Sequence, residues 1–268
     1  MRNPASLVRR LRMDQPFLGT LVTTDSAEVV EVISSCGFEW LFFDVEHSPL
    51  LEPATVQRLL QVVQGTCYSV VRVPENGEAW IKRMLDTGCD GVLVPHVNNG
   101  RDAERAVRAA KYPPDGSRSV GIARAHRYGL GFRDYLERAN EDIAVIVQVE
   151  HVQAVRNIEE ILAVSGVSAV FIGPYDLSGS MDRLGYIQEP RVTQAVDFVR
   201  QRCGEAGMPV GIFAPEIKSA RAELEKGTSF VAVGSDLGYL ASSAKAIAAE
   251  FLATSLGDGA PIGPASTS

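Results

Sequence analysis

Eight short apolar runs, each followed by a stretch of helical periodicity, constrain this chain more than any other feature. The runs are Phe17–Thr23, Trp40–Val45, Tyr68–Val73, Gly91–Val94, Ile143–Val149, Ala169–Ile172, Val210–Phe213 and Phe230–Val233. They are continuous rather than alternating, as in Ala144-Val145-Ile146-Val147, the pattern of parallel strands covered on both faces. Amphipathic segments lie between them. In Glu52–Gln64, Val56, Leu59, Leu60 and Val63 share one face and Pro53 sits in the first turn. Eight strand–helix units in 268 residues predict an α/β fold, a single TIM (β/α)8 barrel over residues 1–256. An open doubly wound sheet is the alternative, but no Gly-x-Gly-x-x-Gly follows the first run. Residues 257–268, rich in Gly, Ala, Pro and Ser, are expected to form a disordered tail. One connection, from Lys111 to about Glu141 with Tyr112-Pro113-Pro114-Asp115-Gly116 near its start, has a length that compact domains commonly reserve for function.

The formal net charge is −7 and basic residues form no long run, so no nucleic-acid partner is expected. The four cysteines, Cys36, Cys67, Cys89 and Cys203, include no Cys-x-x-Cys pair, and they read as reduced thiols of a cytoplasmic protein. No apolar run approaches the roughly 20 residues of a membrane span.

In a barrel enzyme the chemistry gathers where the strands end. Glu46 and His47 follow the second run, Arg72 lies in the third, and His96 follows the fourth. The fifth ends in Gln148-Val149-Glu150, and Gly173-Pro174-Tyr175-Asp176 follows the sixth. Five neighbouring strands thus deliver ionisable groups to one rim. Each group also has a plainer reading. Glu150 can be a charge at a helix N-terminus and Asp176 a helix cap. His47 can be a loop histidine, Arg72 half of a structural ion pair and Asp86 a solvated helix charge. For His96, His126 and His151 the structural reading is the stronger one.

Glu150 and Asp176 supply two oxygen donors on adjacent strands, a set suited to Mg2+, Mn2+ or Co2+. No Cys/His cluster with zinc spacing is present. The five lysines, Lys82, Lys111, Lys218, Lys226 and Lys245, end no predicted strand. A Schiff-base mechanism needs a lysine at the barrel mouth, so enolate stabilisation by a metal is the better expectation.

The stretches Phe43-Asp44-Val45-Glu46-His47-Ser48-Pro49, Val71-Arg72-Val73-Pro74, Leu85-Asp86-Thr87-Gly88 and Val92-Leu93-Val94-Pro95-His96-Val97 resemble the HpcH/HpaI aldolases. So do Tyr112-Pro113-Pro114-Asp115-Gly116-Ser117-Arg118, Gln148-Val149-Glu150 and Gly173-Pro174-Tyr175-Asp176-Leu177-Ser178, in order across residues 17 to 250. The resemblance implies a metal-dependent aldolase that reversibly cleaves 4-hydroxy-2-oxo acids to pyruvate, or a similar 2-oxo acid, and an aldehyde. It implies Glu150 and Asp176 as metal ligands and Arg72 as the residue that grips pyruvate. His47 matches the catalytic histidine, with Asp44 and Asp86 as the acidic residues near it. Gly173, Pro174 and Tyr175 match the segment that receives the substrate carboxylate, and Gln148 is placed with them. A homohexamer, a trimer of dimers with a swapped last helix, is implied as well.

The chain departs from the family pattern at Ser119 and Asp182, where glycine is common, and at His126, where a small residue is common. These departures bear on the acceptor aldehyde more than on the pyruvate half. Rival readings on the same fold are a CoA-thioester lyase of the citrate or malyl-CoA kind, an oxaloacetate decarboxylase and, from another class, a barrel without catalysis.

Overall fold

The computed structural model describes residues 5–13, 15–49, 52–63 and 65–255. Gln64, at the end of a predicted helix, and residues 257–268 of the expected tail lie outside the described residues. Eight parallel strands close in chain order into a barrel: β1 (Phe17–Val22), β2 (Trp40–Asp44), β3 (Tyr68–Arg72), β4 (Gly91–Val94), β5 (Ala144–Val149), β6 (Ala169–Ile172), β7 (Val210–Ala214) and β8 (Phe230–Ser235), with β8 returning to β1. The predicted barrel is the fold observed, and the open sheet is excluded. Thr23, Val45 and Val73, read as strand ends, already belong to the loops that leave the barrel.

Each strand sends alternate residues inward and outward. The outward set, including Leu41, Phe43, Val71, Val92, Val145 and Val170, packs under the helices in one large cluster. The inward set, including Phe17, Trp40, Phe42, Tyr68, Ile146, Phe171 and Phe230, fills the barrel. Aromatic rings meet inside at centroid distances of 5.6 Å for Phe42–Phe171 and 5.7 Å for Phe17–Phe230. Glycine makes this filling possible. A Cβ on Gly19 would stand 2.3 Å from the Trp40 ring, and one on Gly211 would stand 2.4 Å from Phe230.

The long connection after Lys111 is not a free loop. It carries a 3-10 turn (Arg124–Gly129) and an eleven-residue helix, Phe132–Asp142. It starts where the helix Gly100–Ala110 ends and leads directly into β5, so it lies at the barrel end where the strands begin. His126 is a structural residue there: its Nδ1 accepts the Gly129 N–H at 3.0 Å, and its ring lies edge-on to Phe132. Asp182 adopts φ 59°, a left-handed conformation that favours glycine and that Asp tolerates better than most residues.

The chain divides into two compact units, Met1–Asp236 and Leu237–Ser268. The first holds the barrel. The second is described as far as Ser255 as part of one helix, Asp236–Ser255, which bears exposed Leu240, Ile247 and Leu252. Among the described residues no cysteine forms a disulfide and no helix is long and apolar enough to cross a membrane.

Candidate active site

The inward series of four strands, two on each side of β4, begin apolar and reach the rim in polar residues or glycine. On β2 the series runs Trp40, Phe42, Asp44; on β3 Tyr68, Val70, Arg72. On β5 it runs Ala144, Ile146, Gln148 and continues to Glu150; on β6 Ala169, Phe171 and then Gly173. The same period of two that packs the barrel therefore lifts Asp44, Arg72, Gln148, Glu150 and Gly173 onto its upper surface, at the carboxyl ends of the strands.

Asp44 and Arg72 are register partners on β2 and β3. Arg72 Nε donates to Asp44 Oδ1 at 2.9 Å and Nη2 to Oδ2 at 2.8 Å, a fork-on-fork pair. Asp44 Oδ1 also accepts the backbone N–H groups of Glu46 and His47 at 3.2 and 3.3 Å, which shapes the turn that carries both side chains. The guanidinium lies over the Phe42 ring, 5.2 Å from its centroid. Burial works against the Arg72 charge, but the hydrogen bonds and charge of Asp44, with Glu46 and Glu150 nearby, outweigh it and hold the group ionised. Nη1 has no protein partner among the described residues and is left to donate to a ligand.

Glu46 links the two sides of the rim. Its Oε2 lies 3.1 Å from Arg72 Nε and 3.7 Å from His47 Nε2, the latter too long for a hydrogen bond. Its Oε1 lies 3.3 Å from His96 Nε2. Burial pushes the Glu46 carboxyl up, and Glu150 adds to this, while Arg72, His47 and His96 pull the other way. On the far side of the bridge, His96 Nδ1 lies 3.1 Å from Glu150 Oε1, and the His96 backbone N–H donates to the same oxygen at 2.7 Å. Gln148 Nε2 donates to Glu150 Oε2, and the buried Gln148 Oε1 has no partner. Gly173 leaves open a space where a Cβ would stand 3.0 Å from Glu150 Cβ and 3.3 Å from Gln148 Nε2.

Most of the residues singled out from the sequence therefore meet at the rim: Asp44, His47, Arg72, Gln148, Glu150 and Gly173. Asp176 lies close by in sequence, in the first turn of the helix Pro174–Ser180. It is exposed, with no hydrogen bond or ion pair among the described residues. Among those residues no three His, Cys, Asp or Glu side chains form a group able to hold a metal ion by themselves. The Gly173 N–H donates to Val149 O and Pro174 has none, so the first-turn N–H groups free for an anion begin at Tyr175.

Asp86, expected beside His47, is not there within one chain. It ends the helix Glu78–Asp86, which runs back toward the start of β4, and it accepts from buried Arg118 Nη2 at 2.7 Å. Arg118 is also held between Tyr112 and Tyr135, with its Cζ 4.6 and 5.9 Å from their ring centroids. Within one chain the carboxylate beside His47 is that of Glu46, 3.7 Å from its Nε2. Glu46 and His96 are the rim residues that sequence reasoning undervalued. The signal was present for Glu46, which continues the inward alternation of Trp40, Phe42 and Asp44. His96 follows the fourth run and so was placed at the rim, but its orientation was not legible, because it depends on a left-handed residue, φ 56°, after Pro95.

Comparison with known proteins shows the family. The chain matches the family described as HpcH/HpaI aldolase/citrate lyase over residues 18–243. It is 40% identical over 243 residues to the 4-hydroxy-2-oxo-heptane-1,7-dioate aldolase of Shigella sonnei, covering 90% of this chain and 92% of that one. It is 39% identical over 222 residues to the 5-keto-4-deoxy-D-glucarate aldolase of Escherichia coli, covering 82% and 86%. A crystal structure of an HpcH/HpaI aldolase/citrate lyase family protein from Burkholderia cenocepacia superposes with a TM-score of 0.88 at 35% identity, covering 91% of this chain and 98% of that one. The relatives are carbon–carbon lyases, and their likeness spans the strands that build the rim. The chain belongs to the HpcH/HpaI aldolase/citrate lyase family and is a carbon–carbon lyase.

Proposed function

We propose that this protein is a divalent-metal-dependent pyruvate aldolase, which reversibly cleaves 4-hydroxy-2-oxo acids to pyruvate and an aldehyde. The observation that carries the reading is the placement of Arg72 and Glu150 on one polar layer above the barrel core, linked through Glu46 and His96. The residues fit a divalent ion: Glu150 is buried, Gly173 leaves space against it, Gln148 Oε1 is unpartnered and Asp176 is exposed and unpaired. Glu150 and Asp176 would hold the ion. When bound, Mg2+, Mn2+ or Co2+ supplies positive charge to the keto oxygen of a 2-oxo acid.

The chain's own groups do the rest. Arg72, fixed by Asp44, offers Nη1 to an oxygen on which negative charge develops, without moving to do so. Tyr175 and Asp176, whose backbone N–H groups precede the first bonded one at Leu177, offer them to the substrate carboxylate. His47 is 64% exposed at the mouth, where it can take the proton from a 4-hydroxyl and return it in the synthetic direction.

The same reading takes the protein as cytoplasmic and as a homohexamer, a trimer of dimers. The exposed Leu240, Ile247 and Leu252 of the last helix support assembly with further copies.

The test is an aldol assay after chelation, with pyruvate and a panel of small aldehydes and no CoA. Activity restored by Mn2+ or Mg2+ is the expected result. Activity that survives chelation and is trapped by borohydride would overturn it in favour of a lysine Schiff base.

A further inference from the structure

Where β8 returns to β1 the seam of the barrel is irregular. Gly19 pairs with Ala232 but Leu21 pairs with Ser235, so β8 carries one extra residue across this step. Gly234, within the slip, takes φ 57°, which glycine adopts freely. Bulges of this kind re-aim the side chains beside them and are common next to active sites. Two residues further on stands Asp236, the first residue of the last helix and only 3% exposed. Its carboxylate grips the loop that leaves β1. Oδ2 accepts the backbone N–H groups of Thr23 and Thr24 at 2.8 and 2.9 Å and the Thr24 hydroxyl at 2.8 Å. Oδ1 accepts the Thr23 hydroxyl at 2.8 Å. Charge-assisted bonds from two adjacent residues to one buried carboxylate make a stiff clamp.

The clamped loop reaches the turn that carries His47. The Ser48 hydroxyl, buried, donates to Thr23 O at 2.7 Å. On the other side the His47 backbone N–H donates to Asp44 Oδ1 at 3.3 Å. The turn is thus anchored at His47 itself and at the residue after it. The imidazole is mostly exposed, and Glu46 lies too far from it for a hydrogen bond, so the two anchors set where the side chain starts from. We propose that Asp236 is a positioning residue for His47. It holds the loop at Thr23 and Thr24, the loop holds Ser48, and Ser48 holds the turn from which the imidazole reaches the mouth. The inference rests on the part assigned to His47 above and extends it to the β8–β1 seam. A base must stand within hydrogen-bond reach of the proton it takes, and a displacement of about 1 Å can cost about 100-fold in rate. An exposed imidazole has little packing to prevent such a displacement, so the backbone beneath it must.

The experiment is a double-mutant cycle on full-length, Mn2+-loaded protein, assayed with pyruvate and the fastest aldehyde of the panel above. Each variant is made in the wild-type and in the His47→Ala background, and urea unfolding checks that it folds. Ser48→Ala removes one hydroxyl from the chain of contacts. It should lower kcat about tenfold and leave KM for pyruvate within about twofold, because Arg72 and Glu150 are untouched. Asp236→Ala should lower kcat about 10- to 100-fold. Asp236→Asn keeps an oxygen for the two backbone N–H groups and should recover most of that loss. In the His47→Ala background each change should alter kcat less than about twofold, because the group being positioned is gone. Ser48→Ala carries the cycle alone if Asp236→Ala does not fold. Equal losses in both backgrounds, or full kcat in Ser48→Ala, would overturn the proposal and leave the aldolase reading standing. Wild-type turnover in His47→Ala would overturn the role of His47 itself.

Discussion

Asp44 and Arg72 are partners twice over, in the register of β2 and β3 and in a two-pronged ion pair at 2.8 and 2.9 Å. The sheet thus sets the orientation of the guanidinium before any substrate arrives. The same carboxylate ties down the turn at Glu46 and His47, so one side chain positions three others.

Removing that carboxylate should be costly. Asp44→Ala leaves a largely buried guanidinium without its hydrogen-bonded partner, with Glu46 and Glu150 as the remaining counter-charges, and frees two backbone N–H groups. We expect a loss of about 3 kcal/mol in urea unfolding, together with loss of activity. Asp44→Asn keeps an acceptor for the turn and should cost roughly half as much. An Asp44→Ala protein as stable as the wild type would show that the pair is not structural.

Arg72→Ala tests the chemistry more than the fold, because Asp44 keeps its two backbone partners. The expected outcome is a fall in kcat/KM of about 10²- to 10³-fold with an unchanged far-ultraviolet circular dichroism spectrum. Near-wild-type turnover in a folded variant would remove Arg72 from the mechanism.

Gly173→Ala adds one methyl group, and it stands 3.0 Å from Glu150 Cβ and 3.3 Å from Gln148 Nε2. Relief requires the two side chains to shift by a few tenths of an ångström. Stability should change by less than about 1 kcal/mol, whereas Mn2+ affinity and kcat/KM should each drop about tenfold. Calorimetry and steady-state kinetics on the same preparation separate the two effects.

Alkaline pH should destabilise the fold through buried thiols. Burial pushes Cys89 and Cys203 from 9.0 to about 12 and Tyr135 from 10.0 to about 12. Between these limits the unfolded chain has lost protons that the folded chain keeps, so stability falls as pH rises from about 9. Lys111 opposes this: burial lowers it from 10.5 to about 8, so the unfolded chain holds the extra proton and stability rises across that window. Three groups against one give a net loss. The double variant Cys89→Ala, Cys203→Ala should reverse the trend, its urea midpoint rising between pH 8.5 and pH 10.5, because Lys111 acts across nearly all of that window and Tyr135 only across its upper part. A wild-type midpoint that is constant over this range would refute the assignment.

The barrel was legible because buried parallel strands leave continuous apolar runs, and Val145-Ile146-Val147 can hardly be anything else. The rim was legible where inward alternation runs past the strand end, as in Phe42, Asp44 and Glu46. The place of Asp86 within one chain was not legible, because a helix position gives no sign of which end of the barrel it reaches and its partner Arg118 lies 32 residues away. The segment after Lys111 read as an open loop because Phe132–Asp142 is a mostly polar helix with a single fully buried side chain, Ala139.

The aromatic filling has a bearing on traffic. Phe17, Trp40, Phe42, Phe171 and Phe230 close the barrel axis beneath Asp44 and Arg72, so the rim can be reached only from above. In the proposed reaction ketoacid, aldehyde and water would share that one approach. Whichever partner seats deepest must arrive first and depart last. A 2-oxo acid held against Arg72 and Glu150 would then act as the threshold over which the aldehyde comes and goes, and the kinetics should be ordered rather than random.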